Sequence, residues 1–425
     1  MSEVQLEKRK KLLDSLMVIV VGVLSCSNIV SAFVVGSTSI AWLNVLSIVF
    51  LLVCIFRNRG KIINLLHYVT RDFWFTGLAI LFSVVQVLLF NPGNIYQWLV
   101  GCINILLNFC IIIFIIEEKD NKEFLYIGIA IGLGINFILA LYTMFLYNRG
   151  VIFDLASYFP NTSGIGQMYL SNAYRARGLF KEQGHMMRYL AIVSLPVLTY
   201  LKGKSKIAYV ALLIIVGFLA AFSGSSSLAI FVIGVVAFVF CKEGRNGFKI
   251  IGIVLAIIAT IILGVYLGRN ISFFSRLSAA FQIGVLSIFD SQGANSDRIR
   301  GMQYAIKIIK EYPIVGCGWN SLTKIFIDHG YFGGGIFGSY SGGLSLIAEL
   351  GIGSLFYFYF IINKTFSLIR YHDNDECLAV GISLLMYFML FLTTDYVLDS
   401  GSATFLAIVL IVFTEMRDRH REENV

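Results

Sequence analysis

The chain has 425 residues, of which 58% are hydrophobic and only 14% charged, and its mean hydropathy is +0.81. Soluble domains carry about 25% charged residues, so this composition excludes an ordinary soluble fold and indicates a polytopic membrane protein. The net charge of +8 does not point to nucleic acid, because most lysines and arginines stand in short clusters beside apolar runs, the pattern of topology signals.

A hydrocarbon core about 30 Å thick takes about 20 apolar residues per helix. Twelve stretches qualify, near 13–35, 40–56, 73–91, 96–116, 124–147, 185–201, 207–223, 226–241, 249–267, 344–366, 378–397 and 401–416. The first is too long for a signal-peptide core of about 7–15 residues and reads as a span. The expected fold is therefore an all-α polytopic membrane protein of about 12 transmembrane helices, one integral membrane domain over 1–425. Two long segments interrupt the spans: 148–184, and a main loop at 268–343 between spans nine and ten.

Lysines and arginines give the orientation. They crowd the loops on the side of both termini: Lys8 to Lys11, Arg57 to Arg71, Lys119 and Lys122, Lys202 to Lys206, Lys242 to Lys249, Lys364 to Arg370, and Arg417 to Arg421. The short loops on the other side, at 36–39, at 92–95 and after Val397, contain none. Both termini are expected in the cytoplasm and both long segments on the outer face. The seven cysteines show no pairing or metal-type spacing, so neither a disulfide framework nor a structural zinc is expected.

The first outer segment ends in YRARGLFKEQGHMMRYL, 174–190, where Arg175, Arg177, Lys181, Glu182, His185 and Arg188 crowd the entrance of the sixth span. Arg188 falls about one turn inside it, where a lipid-facing charge would cost roughly 2.5–3.5 kcal/mol, so it is expected to face the bundle interior. Arg175 and Lys181 either snorkel to headgroups or meet a substrate; both readings stand.

In the main loop, Asn295, Ser296 and Asp297 are expected to cap a helix whose apolar residues Ile299, Met302, Ile306 and Ile309 recur at helical spacing. Pro313, Gly316 and Gly318 should stop it. Arg298 and Arg300 would then lie on its first turn, where the helix dipole and free N–H groups favour an anion and a guanidinium adds bidentate phosphate recognition. A pairing of Arg298 with Asp297 or Glu182 is the plainer alternative.

Four stretches now resemble a family. RARGLFKEQGH, the small-residue hairpin FSGSSSLAIFVIG, SDRIRGMQYAIKIIKEYPIVGCGW and GGLSLIAELGIGSLFYFYF are similar, in order and spacing, to the O-antigen ligase and O-antigen/capsule polymerase superfamily. The resemblance covers Tyr174 to Phe360. It implies an inverting, metal-independent glycosyltransferase of the bacterial cytoplasmic membrane that uses polyprenyl-diphosphate-linked oligosaccharides as donor and acceptor. Arginines matching Arg177 and Arg298 would hold the diphosphate, with Arg300 and Arg188 beside them. Partners would be these lipid-linked sugars, membrane lipid and a chain-length regulator, with no nucleic acid and no cofactor. Ligases of this superfamily carry a His-Asn pair shortly before the Glu-x-Gly of the next span, and here Tyr340 and Ser341 hold that place. Glu182 resembles the acidic position of polymerases, which favours a repeat-unit polymerase over a ligase that moves finished polymer to lipid A core.

Such a transfer needs electrostatic stabilisation of the leaving diphosphate and a base within reach of the acceptor hydroxyl. The candidate catalytic residues are Glu182, His185 and Tyr340, with His329 behind them. No acidic DxD-type pair or Cys/His cluster occurs in the outer segments, so no metal is expected. A lipid-linked oligosaccharide flippase is the rival of another class, but its charges would be spread along many spans.

Overall fold

The computed structural model describes residues 3–35, 38–57, 68–69, 71–161, 170, 175–225, 227–243, 294–331, 338–394 and 399–423. The expected ninth span at 249–267 and the part of the main loop at 268–293 lie outside the described residues.

The first half of the chain forms α1 (Glu3–Ser25), a hairpin of β1 (Ser31–Val35) and β2 (Thr38–Ala41), α2 (Trp42–Arg57), α3 (Arg71–Phe90), α4 (Ile95–Glu117) and α5 (Lys122–Asn148). The second half forms α6 (Gln183–Lys204), α7 (Lys206–Ser223), α8 (Ser227–Glu243), α9 (Ala294–Glu311), α10 (Leu322–Asp328), α11 (Gly342–Leu350), α12 (Ser354–Arg370), α13 (Asp375–Thr393) and α14 (Ser400–Glu423). Among the described residues seven helical stretches are long and apolar enough to cross a membrane, and α2 and α8 supply shorter apolar helices. The protein is thus an all-α polytopic membrane protein.

Two expected spans come out differently. The run 13–35 is not one helix: α1 stops at Ser25, and Ser31–Val35 pairs antiparallel with Thr38–Ala41. The polar Ser27 and Asn28 interrupt the apolar run there, and the β-branched residues after them suit an extended strand. The run 344–366 is broken into α11 and α12 by a 3-10 turn at Gly351–Gly353.

The helices differ in how deep they lie. α6, α13 and α14 are buried along most of their length, with α6 packed on α13, α7 and α8, and α13 on α12 and α14. α3 and α7 are peripheral and expose Leu81, Phe82, Leu88 and Leu89, and Ile207, Leu213 and Ile214. α1 lies against α5 at close range, because Gly22 and Gly128 bring the two backbones together with no room for a Cβ.

The packing sorts the helix ends into two groups. The α7–α8 hairpin, the starts of α6, α11 and α14 and the finish of α13 gather at one end, tied by Tyr189 against Gly401 and by Gly342 N–H on the carbonyl of Thr394 (2.8 Å). The starts of α5 and α13 and the finishes of α6, α8 and α14 meet at the other, where Lys122 bridges Glu376 and Glu415.

Candidate functional site

The site end is built on a strap, residues 175–182, that runs into α6. Its backbone is held by three separate elements. Ala176 N–H donates to the carbonyl of Phe222 at the end of α7 (3.0 Å), and Leu179 N–H donates to Oδ1 of Asn136 in α5 (2.7 Å). Beyond α1, Asn28 and Ile29 donate their N–H groups to Leu179 (3.1 and 3.2 Å), while Lys181 N–H donates to Oδ1 of Asn28 (2.7 Å). Asn136 is fully buried, and its amide nitrogen donates to the carbonyls of Cys26 and Gly132 (both 2.8 Å). One side chain thereby fixes the strap to both α1 and α5. The turn that aims Arg177 requires Gly178, whose φ is +54° and where a Cβ would run into Asn136.

This anchoring buries the arginines. Arg177 has no exposed surface and Arg175 is 8% exposed, so Arg175 does not snorkel to lipid headgroups. A charge so far from water persists only when polar groups surround it closely. Arg188, 7% exposed, faces the interior as its place in the sixth span required. Its Nε donates to the carbonyl of Gly184 (3.1 Å), and Gly184 in turn faces Ser225 of the α7–α8 hairpin.

At Glu182 the chain is extended, and its carboxylate does not cap α6. It turns toward His185 instead, with 4.0 Å between Oε2 and Nε2. The first-turn N–H groups of a 22-residue helix thus begin without a side-chain cap, with Arg188 one turn in and Lys181 just before. Uncapped N–H groups, the positive end of the dipole and converging cations favour an anion. Glu182 and His185 therefore meet at the start of α6 with Arg188 one turn in, while Arg177 lies enclosed in the strap five residues before Glu182.

A second group is assembled by the main loop. Pro313 to Gly318 closes over the last turn of α11 and the 3-10 turn after it: Cys317 N–H donates to Ala348 (2.8 Å), Gly318 N–H to Glu349 (3.0 Å) and Ile352 N–H to Ile314 (2.9 Å). Gly316 and Gly351 lie against each other's segment at positive φ, and a Cβ on either would strike backbone. The Glu349 carboxylate accepts from Leu322 N–H at the start of α10 (3.3 Å). Cys317 is enclosed here, and burial, reinforced by the charge of Glu349, pushes its thiol well above the usual range. Next in the chain, Trp319 N–H donates to Ser83 of α3 (3.2 Å) and the Asn320 side chain donates to Gln97 (2.7 Å), which fastens the loop to the bundle.

On this support α9 begins at Ala294, ahead of the expected cap, so Asn295, Ser296 and Asp297 lie within its first turn. Arg298 and Arg300 consequently fall past that turn, exposed, and the expectation that both sit on the first turn is corrected. Tyr340 adopts φ +55°, which a bulky residue rarely does, and its ring packs on Gly301 one turn after Arg298. Ser341 caps α11, accepting from Leu344 N–H (3.2 Å) and donating to the carbonyl of Leu392 (2.7 Å). His329 ends α10, with Nδ1 2.9 Å from the carbonyl of Ile325 and Nε2 3.6 Å from Glu311.

The predicted residues thus stand on two supports. Glu182, His185, Arg177 and Arg188 belong to the strap and α6; Arg298, Arg300 and Tyr340 belong to α9 and the start of α11. Both supports meet α13, since α6 packs along it and α11 is pinned to its last turn. The sequence reading missed Asn28, Asn136 and Ser225. An asparagine inside an apolar span was the available signal for Asn136, because a buried amide must find partners.

Among the described residues, no three His, Cys, Asp or Glu side chains form a metal-binding group. No curated protein matches the chain. Residues 209–370 match the family described as O-Antigen ligase, a segment that runs from α7 to the end of α12 and includes Arg298, Arg300 and Tyr340. The strap and Glu182, His185 and Arg188 precede it. Family members are membrane glycosyltransferase-like enzymes, both ligases and polymerases. Over residues 209–370 the chain is therefore similar to the O-antigen ligase family, a likeness that supports the ligase and polymerase superfamily and does not distinguish its two branches.

Proposed function

We propose that this protein polymerises polyprenyl-diphosphate-linked oligosaccharide repeat units, by inverting, metal-independent glycosyl transfer at the outer face of the bacterial cytoplasmic membrane. The observation that supports this reading is the uncapped start of α6, with the Glu182–His185 pair on it, Arg188 one turn in and Arg177 enclosed in the strap that precedes it. The acceptor hydroxyl gives its proton to the Glu182–His185 pair and attacks the anomeric carbon from the face opposite the diphosphate. The bond to the diphosphate breaks, and the departing charge is met by α6 N–H groups and arginines. Arg298 and Arg300, exposed on α9, and Arg188 approach that charge from the two supports. Arg177, fully enclosed, reaches it only when the residues covering it part.

The polymerase branch is favoured over the ligase branch by what stands in place of the ligase His-Asn pair. Ser341 is committed to capping α11, and Tyr340 packs on α9. Neither supplies an imidazole there. His329, the nearest substitute, is engaged at the end of α10. Tyr340 remains within the proposed site as a hydrogen-bonding group on the α9 turn that follows Arg298.

Deleting the gene is the decisive experiment. A polymerase deletion leaves single repeat units on the core lipid, because a separate ligase still acts. Complete loss of surface glycan, with long polyprenyl-linked chains accumulating, identifies a ligase and overturns the proposal. Reporter fusions give the sidedness: positions 204, 245 and 372 are expected in the cytoplasm, and 162 and 320 outside. A cytoplasmic signal at 320 would place the arginines on the wrong side for this substrate.

A further inference from the structure

Along α9, Arg300, Tyr304, Lys307 and Glu311 follow one another at spacings of four, three and four, which puts them on a single face. Tyr331, three residues beyond α10, lays its ring on Tyr304 with centroids 4.0 Å apart and planes 5° from parallel. Phe326 meets both rings edge-on from the small core beneath (6.2 and 6.1 Å), so the pair is fixed in orientation. Nζ of Lys307 lies 5.2 Å from the Tyr304 centroid and 5.5 Å from that of Tyr331. Both tyrosines are half-buried; Arg300, Lys307 and His329 are exposed.

Aromatic rings planted in a core and bordered by exposed cations are suited to a ligand with an apolar face and a polar rim. A pyranose ring has this form: its C–H face lies on an aromatic ring while its hydroxyls and any carboxylate turn outward. The strip also has the right place on the helix. It begins two residues after Arg298 and extends about 10 Å from Arg300 to Lys307 at 1.5 Å per residue, room for about two sugar rings next to the diphosphate.

We infer that Arg300, Tyr304, Lys307 and Tyr331 form a saccharide-binding strip, which holds the sugars adjoining the diphosphate on the tyrosine pair and takes an anionic substituent, such as a uronic carboxylate, on Lys307 and Arg300. The inference rests on the glycan-transfer reading.

The test uses the full chain in nanodiscs. Two probes are titrated: polysaccharide released by mild acid from the producing cell's own lipid carrier, and the same material with its carboxylates reduced to alcohols. Tyr304→Ala and Tyr331→Ala are each expected to weaken binding of both probes about tenfold or more, as loss of an aromatic anchor does. Tyr304→Phe, which keeps the ring, should bind within about twofold of the parent. Lys307→Gln should weaken binding of the native polysaccharide only. Because Lys307 is exposed, that variant also serves if a tyrosine variant fails to fold, which the thermal unfolding midpoint reports. Unchanged affinity in a folded Tyr304→Ala, or no binding by the parent protein, overturns the strip. Equal losses for both probes in Lys307→Gln overturn the anionic preference. Affinity is read without turnover, so the two proposals fail separately: a ligase phenotype on deletion with affinity intact counts against polymerisation, not against the strip.

Discussion

Where α5 begins and α14 finishes, Lys122 lies 3.1 Å from Glu376 and 2.6 Å from Glu415, and Tyr126 donates to Glu376 at 2.8 Å. Lys242 pairs with Asp375 and Lys204 with Glu123 nearby. Each of these three lysines meets a carboxylate from another helix, so charge serves to join α5, α6, α8, α13 and α14. At the opposite end the cations Arg175, Arg177, Lys181 and Arg188 belong to one strap and the helix it enters. They are positioned by backbone hydrogen bonds and asparagine amides, and the carboxylate of Glu182 faces a histidine. The first arrangement spends its charge on cohesion, whereas the second concentrates positive potential at a helix N-terminus, as an anionic substrate requires.

The sharpest way to break that contrast is to remove a cation from the site end. Arg298→Ala is expected to lower turnover by about 10²–10³, the scale for one lost electrostatic donor, with abundance unchanged because the side chain is exposed. Lysine should rescue it poorly, since a point charge does not reproduce the planar fork. Arg177→Ala should lower turnover as steeply and also reduce abundance, because its guanidinium fills a fully enclosed place. Polymer length distribution at matched expression, with turnover of purified protein on lipid-linked repeat units, is the measurement. Near-normal polymer from both variants would remove the diphosphate role.

A smaller effect is expected from the strap's anchors. Asn136→Ala leaves Leu179 N–H without its acceptor and removes the side-chain donor to the carbonyl of Cys26, at about 1–3 kcal/mol for each group left unsatisfied. Asn136→Asp keeps the acceptor for Leu179 but loses the amide donor, so it should recover part of the strap's order and little of the α1 contact. A change in hydrogen exchange confined to 175–182 would locate the damage. Wild-type exchange in Asn136→Ala would show that the strap is held by other means.

Much of this organisation was legible in the sequence because membrane helices are written in hydropathy. The runs at 73–91, 96–116, 124–147 and 207–223 match α3, α4, α5 and α7 to within two residues. The pattern failed where polar atoms decide the path. The helix expected over 13–35 gives way near Asn28, whose side-chain Oδ1 accepts from Lys181 N–H of the strap, a long-range contact that no local window contains. Arg298 kept its helix but not its turn, since α9 starts before the residues best suited to cap it. Arg177 was recognisable as a residue in a motif, yet its complete burial follows from three anchors on α1, α5 and α7, spread across the chain.

At the ion-paired end the expected losses are in stability rather than turnover. Lys122→Met leaves Glu376 and Glu415 facing each other without the cation between them, in a partly buried setting where like charges repel more than in water. The unfolding midpoint in detergent should fall by several degrees while turnover per folded molecule holds. A fall in turnover matching that of Arg298→Ala would erase the division of labour between the two ends.

The weakest contact sharpens the comparison most cleanly. Lys204 and Glu123 lie 3.1 Å apart with both side chains 53% exposed, and Tyr200 adds a hydrogen bond to Glu123 at 3.1 Å. Water and counter-ions screen such a pair, and holding two long side chains costs entropy, so its coupling should be below about 1 kcal/mol. A double-mutant cycle of Glu123→Gln and Lys204→Gln, run by thermal unfolding at low and high salt, measures it. The coupling should shrink as salt rises, and turnover should not change at any salt. A large, salt-insensitive coupling would mean that the pair is shielded in the membrane-bound protein. The graded series from Lys122 to Lys204 would then reflect depth in the bilayer interface rather than the number of carboxylates each lysine meets.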